Sequence, residues 1–254
     1  MSKLEDLARK YAKPAYSAKL TVSDSCTVLE SKFGGQPYFE GDSQWTCCTK
    51  CNSALFFICQ VDIRQCTLAS ASQHFGLVQF FYCWNCYPWE SEQPGWSVVN
   101  IPSPEAAKAK PVQMPPQPAR GFLSKIFKRN PAQTTQCRIA LLPFDSFPQL
   151  DDLEQLADNE ADFLQSDEII DEYYGLIEKL SGRSDDYSTM VGGHAEWIQG
   201  SPNAKCKTCG QRMELLMQIG SEPEARLMFG DAGAAYIMYC SQHPHDVQLY
   251  TQCF

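Results

Sequence analysis

The sequence predicts a β-rich α+β chain made from one unit used twice, a pseudo-twofold β-fold with helices at its periphery. Three observations carry that prediction. Runs such as Leu55–Ile58 and Val78–Tyr82 are short, apolar and bounded by turn residues, the pattern of buried strands. The segment Phe33-Gly-Gly-Gln-Pro-Tyr-Phe39 returns as Val191-Gly-Gly-His-Ala-Glu-Trp197 at an offset of 158. The same offset carries Cys48 onto Cys206, Cys51 onto Cys209 and Gln60 onto Gln218. It then falls by one residue, so that Gly76 meets Gly233, Tyr82 meets Tyr239, Cys83 meets Cys240 and Cys86 meets His243. One deleted loop residue accounts for that drift, and chance does not align so many chemically special positions.

The elements follow in order. Residues 1–20 are set apart as an N-terminal helical segment, with a short amphipathic helix over residues 1–12 docked on the main body, because Leu4, Leu7, Ala8 and Tyr11 fall on one face. Residues 21–102 are the first β-rich repeat. Residues 103–136 gather Pro104, Pro111, Pro115, Pro116, Pro118 and Pro131 among Ala, Lys and Gln, a mobile-linker composition. Inside it, residues 122–129 make a basic, apolar patch suited to a membrane or partner, though packing back on its own domain explains such a patch more simply. Residues 137–188 read as an acidic helical segment, with ten acids and no Lys or Arg between positions 151 and 172. Residues 189–254 are the second β-rich repeat. Gly34-Gly35, Gly192-Gly193 and Phe229–Gly233 read as turns or bulges, and Gln60 and Gln218 as side chains that either bond neighbouring backbone, the simpler account, or line a binding groove.

Cysteine spacing is the strongest chemical signal. Cys48-Thr-Lys-Cys51 and Cys83-Trp-Asn-Cys86 are separated by 31 residues, and Cys206-Lys-Thr-Cys209 and Cys240-Ser-Gln-His243 by 30. Two residues between ligands let a tight turn present both donors to one ion, and four thiolate or imidazole donors make a closed zinc shell. A redox dithiol explains one CxxC, and an iron–sulfur cluster fits four cysteines, but neither explains a matched set in which His replaces Cys. The expectation is two Zn2+ per chain, on Cys48, Cys51, Cys83 and Cys86 and on Cys206, Cys209, Cys240 and His243. Cys47 competes with Cys48, but its repeat partner is Lys205. His245 competes with His243, and the first repeat's spacing selects His243.

The net charge of −9 opposes broad binding to phosphate backbones and favours basic partners. Thirteen cysteines, an odd number, suit thiols and metal ligands in a reducing compartment. With no signal-type apolar stretch and no membrane span in the sequence, the expectation is a cytoplasmic protein. No catalytic residue is nominated, since the remaining cysteines Cys26, Cys47, Cys59, Cys66, Cys137 and Cys253 lack a convincing companion.

The combined pattern resembles the superfamily that joins bacterial YwqG-like proteins with eukaryotic programmed cell death 2 proteins. The residues that carry it are Gly34, Gly35, Cys48, Cys51, Gln60, Cys83 and Cys86, then Gly192, Gly193, Trp197, Cys206, Cys209, Gln218, Gly230, Asp231, Gly233 and Cys240. The ending Gln252-Cys253-Phe254 is similar to that of zinc-bearing bacterial members. The resemblance implies a pseudo-symmetric β-fold without an established catalytic centre. It also implies a client-chaperone role, as in the eukaryotic relatives that hold a ribosomal protein, or a toxin-neutralising immunity role, as bacterial gene neighbourhoods suggest. Many bacterial relatives lack the knuckles found here. The functional expectation is therefore a non-enzymatic protein-interaction module with a basic or amphipathic polypeptide partner. A zinc-knuckle nucleic-acid reader is the alternative, and a zinc enzyme ranks last because both shells already count four protein ligands.

Overall fold

The computed structural model describes residues 3–68, 70–117, 134–157, 166–183 and 187–254. Ten strands form one sheet: β1 (Lys13–Val22), β2 (Lys32–Phe33), β3 (Phe56–Asp62), β4 (Leu77–Tyr82), β5 (Trp96–Ile101), β6 (Cys137–Ser146), β7 (Met190–Gly192), β8 (Glu214–Gly220), β9 (Ala234–Tyr239) and β10 (Val247–Gln252). Their spatial order is β10-β9-β8-β7-β1-β6-β2-β3-β4-β5, and every pairing is antiparallel. Four helices accompany them: α1 (Lys3–Lys10), α2 (Ala71–His74), α3 (Leu150–Ala157) and α4 (Asp167–Ser181).

That order is the duplication made visible. From the central β1·β6 pair outward, β7, β8, β9 and β10 on one side match β2, β3, β4 and β5 on the other. The match reaches single residues. The β3·β4 ladder slips between Phe57 and Cys59, and the β8·β9 ladder slips between Leu215 and Met217, positions related by the offset of 158. A shared bulge at a shared position gives both hairpins the same local bend. The two leading strands are exchanged: β1, which opens the first half, pairs with β7 of the second, and β6 pairs with β2 of the first.

The main core mixes both halves. Phe33, Ile58, Val61 and Phe80 pack in one buried cluster with Val191, Leu216, Ile219, Ile237 and Leu249. Edge-on aromatic contacts cross between the halves, Phe75 to Tyr239 at 5.2 Å and Tyr82 to Phe229 at 5.4 Å. The loop after β4 curls the sheet toward closure: Glu90 bridges Tyr250, the Thr251 N–H donates to Trp89 O at 2.8 Å, and Ser91 Oγ bonds both backbone groups of Leu249. The sheet is thus a nearly closed, barrel-like wall around a shared interior.

Several expectations are corrected. The N-terminal helical segment 1–20 is helix over Lys3–Lys10 only, and β1 begins at Lys13. The helix does bury Leu4, Leu7 and Ala8, as its periodicity predicts. The acidic helical segment 137–188 opens with the ten-residue strand β6 before α3 and α4. The first half of the linker is not free: the Lys110 N–H donates to Phe39 O at 2.9 Å, and Gln36 Nε2 donates to Val112 O at 2.9 Å. The basic patch at 122–129 lies outside the described residues.

The paired glutamines do what their burial requires. Gln60 and Gln218 are fully buried. Gln60 Oε1 accepts from the Tyr38 N–H at 3.0 Å, and its Nε2 donates to Val28 O and Glu30 O at 2.7 and 2.9 Å. Gln218 Oε1 accepts from the Glu196 N–H at 2.9 Å, and its Nε2 donates to Ser188 O at 2.9 Å and Glu196 Oε2 at 3.1 Å. Each amide clips the loop after its Gly-Gly turn onto its strand. The turn needs glycine. Gly34, Gly35, Gly192 and Gly193 all have positive φ, and a Cβ on Gly34 would stand 2.3 Å from Thr134 O.

Candidate metal centres

Each half builds its centre from two turns on adjacent ladders. In the first, Cys47 and Ala54 form a short bridge, the Cys48 N–H donates to Ser53 O at 2.8 Å, and the Asn52 N–H donates to Cys48 O at 2.9 Å. In the second, Lys205 bridges Arg212, the Cys206 N–H donates to Gln211 O at 2.8 Å, and the Gly210 N–H donates to Cys206 O at 2.9 Å. These bonds superimpose at the offset of 158. The turn requires a left-handed residue one place after the second cysteine, Asn52 at φ 54° and Gly210 at φ 72°. Asn and Gly are the residues that adopt this conformation at least cost.

The second pair of ligands sits just past a strand end. β4 delivers Cys83, whose N–H donates to Gly95 O at 2.7 Å, and the chain then turns so that the Cys86 N–H reaches Cys83 O at 3.2 Å. Asn85 Nδ2 donates to Ser53 Oγ at 2.8 Å and ties this turn to the first. In the second half, β9 delivers Cys240, and the Asp246 N–H closes the turn on His243 O at 2.8 Å.

The four donor atoms in each group lie within 4.8 Å of one another. Cys48 Sγ is 3.7 Å from Cys86 Sγ, and Cys51 Sγ is 3.6 Å from Cys83 Sγ. Cys206 Sγ and Cys240 Sγ each stand 3.7 Å from His243 Nδ1, and Cys209 Sγ is 3.7 Å from Cys240 Sγ. No disulfide joins any of them. The structure therefore gathers all eight nominated side chains into two groups of four. Exposed Cys47 and His245 are in neither group.

The electrostatics suit a cation. Burial raises Cys83 and Cys86 in the first group and Cys206 in the second. Cys83 goes up to about 11, and so does Cys206. Against that burial, hydrogen bonds from Ser53, Cys83 and Cys86 bring Cys51 down to about 6, and those from His243 and Cys206 bring Cys240 down to about 7. Packed thiols share negative charge unevenly because like charges at this distance oppose one another. A divalent cation at the centre removes that conflict and lets all the thiols ionise. Backbone N–H groups are already aimed at the second centre's sulfurs, from Cys209 to Cys206 Sγ at 3.4 Å and from His243 to Cys240 Sγ at 3.3 Å.

A family model described as a domain of unknown function (DUF1963) covers residues 31–243. The chain belongs to the DUF1963 family. The match spans both Gly-Gly turns and all eight gathered ligands of this DUF1963 member, and ends on His243. No curated protein matches the chain.

The other cysteines separate cleanly. Cys59 and Cys66 are buried, and burial raises both thiols, Cys66 to about 12, so they are inert core groups. Sequence reasoning missed the polar ties that hold helices to the second half. Buried Asp152 accepts from Trp197 Nε1 at 3.1 Å and pairs with Arg212, and Arg183 Nη1 meets Glu196 Oε1 at 2.8 Å. These partners lie far apart in sequence or across short loops, with no periodic signal to reveal them.

Proposed function

We propose that this protein binds two structural zinc ions and holds a polypeptide partner without catalysing a reaction. The observation that carries the reading is the donor set: two groups, each with four protein ligands already at tetrahedral spacing. A zinc–sulfur bond of roughly 2.3 Å places ligands at the corners of a tetrahedron about 3.8 Å on edge. Five of the donor separations, at 3.6 to 3.7 Å, fit that figure, and all lie within 4.8 Å. A shell filled by protein leaves no coordination position for a substrate, which is the mark of a structural site.

The partner reading rests on charge. The chain carries −9, and α3 and α4 present Asp151, Glu154, Asp167, Glu168, Asp171 and Glu172. Such a field accelerates encounter with cationic polypeptides and opposes nucleic acid. The resemblance to YwqG-like and programmed cell death 2 proteins supports a client-chaperone or immunity role in the cytoplasm. No helix among the described residues is long and apolar enough to cross a membrane.

An array of basic, amphipathic and acidic peptides, with single-stranded RNA and DNA beside them, tests the reading on the zinc-loaded chain. Salt-sensitive capture of basic or amphipathic peptides is expected. Stronger retention of nucleic acid at physiological salt refutes it.

A further inference from the structure

In the first half, residues 103–117 run as a strap over the loop that follows the Gly-Gly turn, with one 3-10 turn at Ala106–Lys108 and extended chain after it. Lys110 holds it by donating its N–H to Phe39 O, at 2.9 Å, and by reaching Gly41 O with its ammonium. The Tyr38 hydroxyl donates to Glu105 O at 3.0 Å and accepts from the Glu105 N–H at 3.1 Å. Gln36 Nε2 holds Val112 O, and Val112 packs on the cluster around Phe39 and Leu55. The strap sequence between 107 and 112 is Ala-Lys-Ala-Lys-Pro-Val.

The duplication supplies a matched surface in the second half, where Gln36, Tyr38 and Phe39 correspond to His194, Glu196 and Trp197. His194 is occupied, its Nε2 lying 2.7 Å from Tyr11 O in the place Val112 O takes on Gln36. The rest of the surface is different. No strap crosses Trp197 among the described residues, but the start of α3 covers most of it: Gln149 Oε1 accepts from the Trp197 N–H at 2.8 Å and Asp152 Oδ2 from its indole Nε1 at 3.1 Å, so that only an edge of the ring is exposed. Instead Glu196, Trp197 and Gly200 floor a cleft of about 500 Å³, walled by Phe144 and by Tyr174 and Glu178 of α4. Among the described residues its lining holds the carboxylates of Asp151, Glu178 and Glu196 against the guanidinium of Arg183. Arg183 is already engaged, paired with Glu196 and stacked 4.4 Å over the Phe144 ring. The surplus is negative, and the walls are aromatic.

We infer that this cleft binds an extended, lysine-bearing segment of a partner polypeptide, laid across Trp197 as the strap is laid across Phe39. The inference rests on the proposed polypeptide-binding function and gives that function a location. Main-chain pairing to the loop supplies grip, and Asp151 and Glu178 receive the cationic side chain that Gly41 O receives in the first half. Small residues and proline suit the passage because an extended segment with few rotamers loses little entropy on docking.

The strap itself is the probe. A labelled synthetic peptide of residues 103–117 is titrated into the zinc-loaded full chain and followed by fluorescence anisotropy. Saturable binding is expected. A peptide with Lys108 and Lys110 both changed to Glu should fail to bind. Gly175 lines the cleft from α4, and nothing lies within 4 Å of where its Cβ would be. A Gly175→Trp variant, whose Cβ has room, should obstruct the cleft with its indole and weaken binding by more than about tenfold, with its thermal melting compared with wild type to check that it folds. Glu178→Lys should weaken binding. A photo-reactive group at position 110 of the peptide should label the region of Trp197. Absence of saturable binding, equal binding by Gly175→Trp, or labelling confined to the region of Phe39 overturns the site. If basic peptides are still captured by the array in the Gly175→Trp variant, the site falls and the general reading stands. If the array favours nucleic acid while the strap peptide still binds at Trp197, the general reading falls and the site stands.

Discussion

Replacing Gln60 with Leu removes the clip that fastens the first loop to β3 while leaving every proposed metal ligand in place. The substitution strands the buried Tyr38 N–H, which loses its bond at 3.0 Å, and deprives the carbonyls of Val28 and Glu30 of donors at 2.7 and 2.9 Å. A buried donor left unpaired costs about 1–3 kcal/mol, and each lost bond to a partly exposed carbonyl costs about 1 kcal/mol. The leucine returns roughly 1 kcal/mol through its apolar surface. The expected loss is therefore about 2–4 kcal/mol, a large share of the roughly 5–15 kcal/mol that holds a folded domain. Gln218→Leu should cost at least as much, because one of its bonds at 3.1 Å goes to the Glu196 carboxylate. Urea denaturation of metal-saturated protein measures both losses by linear extrapolation. Zinc content should stay at the wild-type level in each variant. A loss below about 1 kcal/mol, or a fall in metal content, would show that the glutamines are not the clips described.

Other consequences are open to direct measurement. Metal analysis should return two zinc ions per chain, and Cys48→Ser or Cys206→Ser should remove one and destabilise the chain strongly, since zinc binding contributes about 10–16 kcal/mol of apparent energy. Because the main cluster draws on both halves, a chelator should unfold the chain in one transition; two well-separated transitions would refute the shared core. His194 is held neutral chiefly by burial and secondarily by the charge of Lys13, with its pKa near 3 against an ordinary 6.5. The unfolded chain then binds the proton first, so this group's contribution falls as pH drops from about 6.5 toward 3, by up to about 1.4 kcal/mol per pH unit. His194→Gln, which installs the residue found at the matched position 36, should flatten that part of the profile; unchanged acid sensitivity relative to wild type would exclude the histidine. Asp152→Ala breaks a buried pair with Arg212 and the bond from Trp197, and should cost about 3–5 kcal/mol in the same urea assay; a near-neutral result would mean that α3 is held by packing alone.

Much of the molecule was legible in the sequence because its signals are local. A CxxC needs two intervening residues to make its turn, and a Gly-Gly turn needs left-handed glycines, so both leave a fixed spacing that the duplication then repeats. Gln60 and Gln218 stood out for the same reason. The two central strands left no such mark. β1 and β6 are only partly buried, with Leu142 nearly half exposed, so their apolar alternation is weak. Pro143 in the middle of β6 argues against a strand, yet it sits opposite Tyr16 in the ladder. The strap was read as free linker because proline-rich composition describes chain stiffness and says nothing of what lies beneath it. The second-half cleft depends on Trp197, Phe144 and Glu178 meeting from three separate elements, and no short-range pattern records such a meeting.

The exchange of leading strands sets a timetable for synthesis. When the ribosome has finished β1 at Val22, that strand has no neighbour to pair with until Cys137 emerges, 115 residues later. At about 5–20 residues per second the wait is roughly 6–23 seconds, far longer than a hairpin needs to close. Its other neighbour, β7, appears later still, with Met190. Through that interval β2, β3, β4 and β5 can pair with one another, while the other edge of β2 waits on β6. The nascent first half therefore carries an unsealed edge and an apolar interior whose other wall has not yet been made. Ribosome-bound chains that end before residue 137 should be protease-sensitive and chaperone-bound, and chains that extend past β10 should become resistant in a single late step.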